Sequence, residues 1–107
     1  MDKLQLVINA IQELKSAPIG VNTEIEYKKL INKYDMIFMG KSFNTITSLE
    51  FAHYLKEQVD TSITHEYILE VLPQISQMLK LKLETQIKVE DVGKANSKTA
   101  NYLIQLF

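Results

Sequence analysis

One short segment of this chain matches the end of a nucleotide-binding motif. Gly40-Lys41-Ser42 has the residue types that close a phosphate-binding loop. That loop needs a second glycine five residues earlier, and the position is occupied by Asp35. The chain is also too short for the parallel sheet that carries such a loop. The segment therefore predicts a turn and not a nucleotide site.

The chain has two histidines, which could bind a metal ion, and several serines, which could act in catalysis. His53 and Glu57 are one helical turn apart and could hold a metal ion, but His65 is the only other histidine available as a ligand. The spacing favours an ordinary surface pair. We expect four of the serines to cap helices or to lie in turns: Ser42, Ser48, Ser62 and Ser97. We expect no catalytic residue, no metal and no cofactor, and hence a protein that is not an enzyme.

The basic residues restrict what nucleic-acid chemistry is open to the chain. All twelve are lysines, and arginine is missing. Arginine reads a guanine edge or a phosphate with two parallel hydrogen bonds, whereas lysine acts as a point charge. Any contact with nucleic acid should therefore be mainly attraction to the phosphate backbone.

Length and composition predict one domain over residues 1–107. The chain has 107 residues, of which 46% are hydrophobic, and no cysteine. A core without disulfides or cysteine-ligated zinc is possible at this size. No apolar run approaches the roughly 20 residues of a membrane span, and the polar start is not typical of a signal peptide. We expect a soluble, cytoplasmic protein.

Charge is distributed unevenly along the chain. Residues 1–79 contain seven lysines and ten acidic residues, whereas residues 80–107 contain five lysines and three acidic residues. The carboxyl-terminal part is therefore the better candidate for contact with an anionic partner.

Helical periodicity and capping signals dominate the first two thirds of the chain. Asp2 with Gln5, and Thr47 with Glu50, are typical capping boxes. They predict a first helix that ends near residue 17 and another over residues 48–58. A helix is favoured over residues 27–34, while residues 23–27 fit either a helix entry or a short strand. Residues 41–47 are expected to form a loop.

The remaining third changes from helix to strand. An apolar stripe from residue 63 to 79 predicts a helix, which Pro73 should kink or restart. Alternation near Ile87 and Val89, a turn-rich segment over 93–98, and an apolar run over 99–107 then predict a β-hairpin. The fold class is α+β, mainly helical.

This order of parts resembles a winged helix-turn-helix over about residues 47–107, with the hairpin as the wing. In that family the second helix of the pair enters the major groove. Here its solvent face would carry two carboxylates, which phosphates repel. Single-stranded DNA is thus the more plausible nucleic acid, bound through the wing residues Lys88, Lys94, Asn96, Lys98, Asn101 and Tyr102. A solvated hairpin tip is the simpler alternative for these lysines.

The chain is also similar to small winged-helix accessory proteins of replication modules in Gram-positive, staphylococcal-type mobile elements. The lysine-only composition, residues 13–16 and the tail Gly93–Ser97 carry this resemblance. It implies a binding module of a mobile-element or phage replication system that binds single-stranded DNA or docks on a polymerase or primase. The alternative is a protein adaptor or inhibitor without nucleic-acid binding. Candidate partner-binding residues are His65, Glu66, Glu70, Phe38 and Phe43, with the two phenylalanines expected to be exposed.

Overall fold

A computed structural model describes residues 2–87 and 99–107. In chain order the elements are α1 (Lys3–Ser16), α2 (Glu24–Tyr34), β1 (Thr45–Thr47), α3 (Ser48–Gln58), α4 (His65–Leu79), β2 (Lys82–Ile87) and β3 (Thr99–Gln105). The mainly helical α+β class is confirmed. Among the described residues, no helix is long and apolar enough to cross a membrane.

Each helix begins at a side-chain cap. The carboxylate of Asp2 accepts a hydrogen bond from the backbone N–H of Gln5 at the start of α1. Threonine hydroxyls accept the equivalent bonds at the other three helices, from the caps Thr23, Thr47 and Thr64. A cap satisfies one of the donors that the first helical turn leaves free. The open question over residues 23–27 is therefore settled as a helix start, and the predicted helix over 48–58 is confirmed.

The ends of α2 and α4 use a left-handed residue that is not glycine. Asp35 and Lys80 have φ angles of 51° and 57°, and their N–H groups bond to the carbonyls of Ile31 and Ser76. The restart predicted at Pro73 is wrong, since α4 is one helix from His65 to Leu79. Pro73 is exposed, so water can hydrate the carbonyl that its missing N–H leaves free.

The sheet is antiparallel and has the order β1-β3-β2. The predicted loop over 41–47 is wrong in part, because Thr45–Thr47 pairs with Leu103–Gln105. A strand of three residues is stabilised by its partner in the sheet. It is too short to show the alternation of polar and apolar residues by which strands are recognised in a sequence. The strands β2 and β3 pair with each other, and their register shifts between Gln86 and Ile87. The first of them begins earlier than predicted, at Lys82, while Val89 and the segment 93–98 lie outside the described residues.

The core lies between the sheet and the helices. The fully buried side chains include Ile11 from α1, Phe51 and Leu55 from α3, and Ile104 from the central strand β3. The buried hydrophobic residues form one cluster. This packing fixes α3 and α4 against β3, and so sets the frame for the candidate site.

Candidate functional site

A buried serine joins α3, α4 and the hairpin. Ser48 is the first residue of α3, and its side chain is 0% exposed. Its Oγ lies 2.8 Å from the backbone nitrogen of Tyr102 and 2.9 Å from Nε2 of His65. It also donates a hydrogen bond to Oδ1 of Asn101. One hydroxyl therefore contacts β3 twice and the first residue of α4 once.

The bonding pattern fixes where the protons lie. Oδ1 of Asn101 also accepts from the backbone N–H of Leu49 at 3.1 Å, which sets the orientation of the amide. The single proton of Ser48 must then point to Asn101, because Oδ1 has none to give. Tyr102 donates its backbone N–H to Ser48. For His65 to bond the same oxygen, its Nε2 must carry a proton as well.

This arrangement is structural and not nucleophilic. In a hydrolytic triad the histidine accepts the serine proton, whereas here Ser48 donates to an amide and His65 donates to Ser48. The hydroxyl is fully buried and has no lone pair free for a substrate. Sequence reasoning gave Ser48 a capping or turn role and missed this junction, since its partners lie 17 and 53 positions further along the chain.

Burial changes the titration of His65. Desolvation lowers the pKa of this imidazole below its usual value of 6.5. The neutral form with a proton on Nε2 is therefore favoured at neutral pH. His65 was predicted to bind a partner; its Nε2 instead bonds within the molecule.

The outer face of α4 is acidic and polar. Glu66, Glu70, Gln74 and Gln77 are all exposed, as expected from their spacing. The helix contains no lysine between His65 and Leu79. Its surface therefore repels a phosphate backbone and is suited to a different kind of partner.

The structure describes two of the six residues predicted to bind nucleic acid. Asn101 uses its side-chain oxygen twice within the molecule, and its Nδ2 donates to Oε1 of Gln86 at 3.1 Å. Tyr102 is half-buried and packs against the core cluster. The other four, Lys88, Lys94, Asn96 and Lys98, lie outside the described residues, and their role stays a prediction.

The predicted patch of exposed phenylalanines does not form. Phe38 is 1% exposed, so its assignment to a partner-binding surface is wrong. It packs edge-on against Tyr34, with ring centroids 6.0 Å apart. Phe43 is half-buried and stacks on Tyr27 at 4.5 Å. Side chains alternate in this segment, so that Met36 and Phe38 are buried while Ile37 between them is exposed.

His53, which was expected to form an ordinary surface pair with Glu57, lies close to a different carboxylate. His53 Nε2 lies 3.7 Å from a carboxylate oxygen of Asp35, and both side chains are largely exposed. Within residues 2–87 and 99–107, no group of three histidine, aspartate or glutamate side chains is placed to hold a metal ion.

A shallow groove beside the junction was not predicted. Leu49, Ala52, Lys56 and Ile63 line it together with both histidines and Thr64. Leu49, the second residue of α3, is 58% exposed. The groove adds an apolar surface with one lysine next to the acidic face of α4.

Comparison with known proteins gives one informative similarity. No protein-family model matches the chain, and no solved structure matches it. The chain is 21% identical over 107 residues to a protein of Acanthamoeba polyphaga mimivirus that is named an uncharacterized putative helicase. The match covers 96% of this chain and 10% of the viral protein, so the chain spans about a tenth of that protein's length.

Proposed function

We propose that the chain is a winged-helix module that binds single-stranded DNA through its hairpin and has no catalytic activity of its own. In this proposal it serves as an accessory part of a replication system of a mobile element or phage. One observation carries the fold assignment. The order α2, β1, α3, α4, β2, β3, with β3 between β1 and β2, is the order of parts in a winged helix.

The mimivirus similarity supports a role in replication. The related protein is named as a helicase, and nearly all of this chain matches a small part of it. A helicase acts on strands that it has separated, so a module attached to one meets single-stranded nucleic acid. This supports a binding module as the shared element. It also agrees with the predicted resemblance to accessory proteins of mobile elements.

Charge favours the hairpin over α4 as the DNA-contacting part. The stretch from Lys82 to Lys98 holds four lysines and three acidic residues, a net charge of +1, whereas α4 exposes two glutamates and carries no lysine. Without arginine, the attraction is to phosphates and carries little base preference. We therefore expect weak sequence discrimination and a strong dependence on salt.

The experiment is a titration of labelled single-stranded and double-stranded oligonucleotides over a series of salt concentrations. Each phosphate contact on a single strand contributes about 0.7 to the slope of log affinity against log salt. Changing both Lys94 and Lys98 to glutamate should weaken binding and reduce the slope by about 1.4. The matched control changes Lys28 and Lys29 on α2 to glutamate, which alters the net charge equally. Equal effects of the two double variants, or a wild-type slope near zero, would contradict the proposal.

A protein adaptor remains the second candidate, and the exposed acidic face of α4 favours it. Changing Glu66 and Glu70 to lysine reverses that face without touching the core. If the adaptor function is right, this variant loses a polymerase or primase captured by the wild-type chain. Changing Glu24 and Glu26 on α2 to lysine is the control with the same charge change. Capture without any DNA binding would favour the adaptor over the DNA-binding module.

A further inference from the structure

We propose that Ser48 and Asn101 are positioning residues that set the angle of the β2–β3 hairpin against α3 and α4. The inference deepens the proposed function and rests on it, because it assigns to these residues the presentation of the hairpin to a single strand. Neither side chain needs to touch the nucleic acid for this role.

The first argument comes from where β1 stops supporting the central strand. The last backbone pair between β1 and β3 joins Thr47 to Leu103. Beyond that point, Tyr102 donates its N–H to the Ser48 hydroxyl at 2.8 Å, and the Asn101 oxygen accepts from the N–H of Leu49 at 3.1 Å. Side-chain bonds to α3 thus continue the connection where strand pairing ends.

The second argument comes from the other strand of the hairpin. Asn101 lies opposite Gln86, and its Nδ2 donates to Oε1 of Gln86 at 3.1 Å. The register of the hairpin shifts directly after Gln86. A shift of this kind bends a strand. Asn101 therefore bonds to α3 on one side and to β2 on the other, at the last regular pair of β2 and β3 before the shift.

The third argument is the burial of the bond at the centre. Ser48 is 0% exposed, and its hydroxyl uses its donor and both of its acceptor positions on β3 and α4. Water does not compete for such a bond as it does at the surface. The link between the helix pair and the hairpin is thereby rigid and not a loose surface contact.

A distance measurement tests the positioning role without DNA. The chain has no cysteine, so spin labels can be placed at Thr85→Cys on β2 and Lys56→Cys on α3, both of which are exposed. The labelled parent should give a narrow distance distribution. Asn101→Ala should broaden it. Asn101→Asp keeps the oxygen that accepts from Ser48 and Leu49, and its second oxygen can accept from the amide N–H of Gln86 once that amide rotates. This variant should restore the narrow distribution.

Binding of a labelled single-stranded oligonucleotide gives the second readout. If the hairpin of Asn101→Ala holds the binding orientation for a tenth of the time, its Kd rises about tenfold. The slope of log affinity against log salt should stay at the wild-type value, because the lysines are intact. Ile11→Val, a core change on α1, is the control for reduced stability and should leave both readouts unchanged.

The outcomes separate the two proposals. An unchanged distance distribution in Asn101→Ala, or a broadened one with wild-type Kd, would overturn the positioning role while leaving DNA binding in place. A wild-type chain that binds no DNA would instead remove the proposed function. Broadening together with weaker binding at constant slope, rescued in its distance distribution by Asn101→Asp, supports the positioning role.

Discussion

Replacing Ser48 by alanine should destabilise the fold through a single lost hydroxyl. The change leaves the backbone N–H of Tyr102 and the Nε2–H of His65 without their acceptor, at a position that is 0% exposed. A buried donor left unsatisfied costs about 1–3 kcal/mol. His65 is only partly buried and can turn to water. We therefore count Tyr102 alone and expect a loss of about 2 kcal/mol in the free energy of unfolding.

Urea unfolding followed by circular dichroism measures this loss directly. With a slope of about 2 kcal/mol per molar urea, the midpoint should fall by about 1 M, and the slope itself should not change. Alanine favours a helix more than serine does, so the change in helix propensity should stabilise α3 and cannot cause the expected loss of stability. Ser16→Ala, at the exposed end of α1, is the control and should stay within about 0.5 kcal/mol of wild type. A Ser48→Ala variant as stable as this control would refute the bonding scheme.

Three further predictions concern titration and helix ends. Burial lowers the pKa of His65 in the folded chain, so the unfolded chain binds more protons in acid. The free energy of unfolding should therefore fall as the pH drops below 6.5. His65→Gln keeps a hydrogen-bond donor, and its urea midpoint should depend less on pH. Lys80→Gly should raise the free energy of unfolding by about 0.5–1 kcal/mol, because glycine adopts the left-handed angle without strain. Burial, and secondarily the Glu13 carboxylate, raise the pKa of Tyr54 to about 12. Stability should therefore fall as pH rises from 10 toward 12, and Tyr54→Phe should reduce that fall and remove the latest phase of the tyrosinate absorbance titration. The rest of the fall belongs in part to Tyr67, whose pKa burial also raises.

Each of these has a result that would count against it. If His65→Gln loses stability below pH 6.5 as steeply as the wild-type chain, the assignment to His65 fails. A less stable Lys80→Gly variant would show that the lysine side chain contributes more than the backbone strain costs. An absorbance titration of Tyr54→Phe that still contains the latest phase would assign that phase to another tyrosine.

The sequence was most informative where structure depends on near neighbours. Asp2 with Gln5, and Thr47 with Glu50, predicted helix starts because a cap and the backbone N–H from which it accepts are three residues apart. Such local bonds can be recognised before any tertiary contact is known. The last strand, β3, was also predictable, since its apolar run over 99–107 is a local feature.

The errors and omissions arise from distant contacts. Thr45–Thr47 became a strand only because Leu103–Gln105 lies beside it. Phe38 was predicted to be exposed to a partner, but it is buried and packs against Tyr34. The candidate site was missed for the same reason, because Ser48 finds its partners in α4 and β3 and nothing in its own neighbourhood indicates them. The prediction that Pro73 restarts the helix overestimated its effect. Pro73 lies on the exposed side of α4, and the helix continues through it.

The position of β3 in the sheet has a consequence for synthesis on the ribosome. Both β1 and β2 pair with β3, yet β3 is translated after both of them. β1 must therefore wait for more than fifty residues before its partner emerges, while the helices can form as they leave the exit tunnel. Nascent chains stalled before residue 99 should accordingly carry helical structure with unpaired strand segments, and these are the species a chaperone would protect.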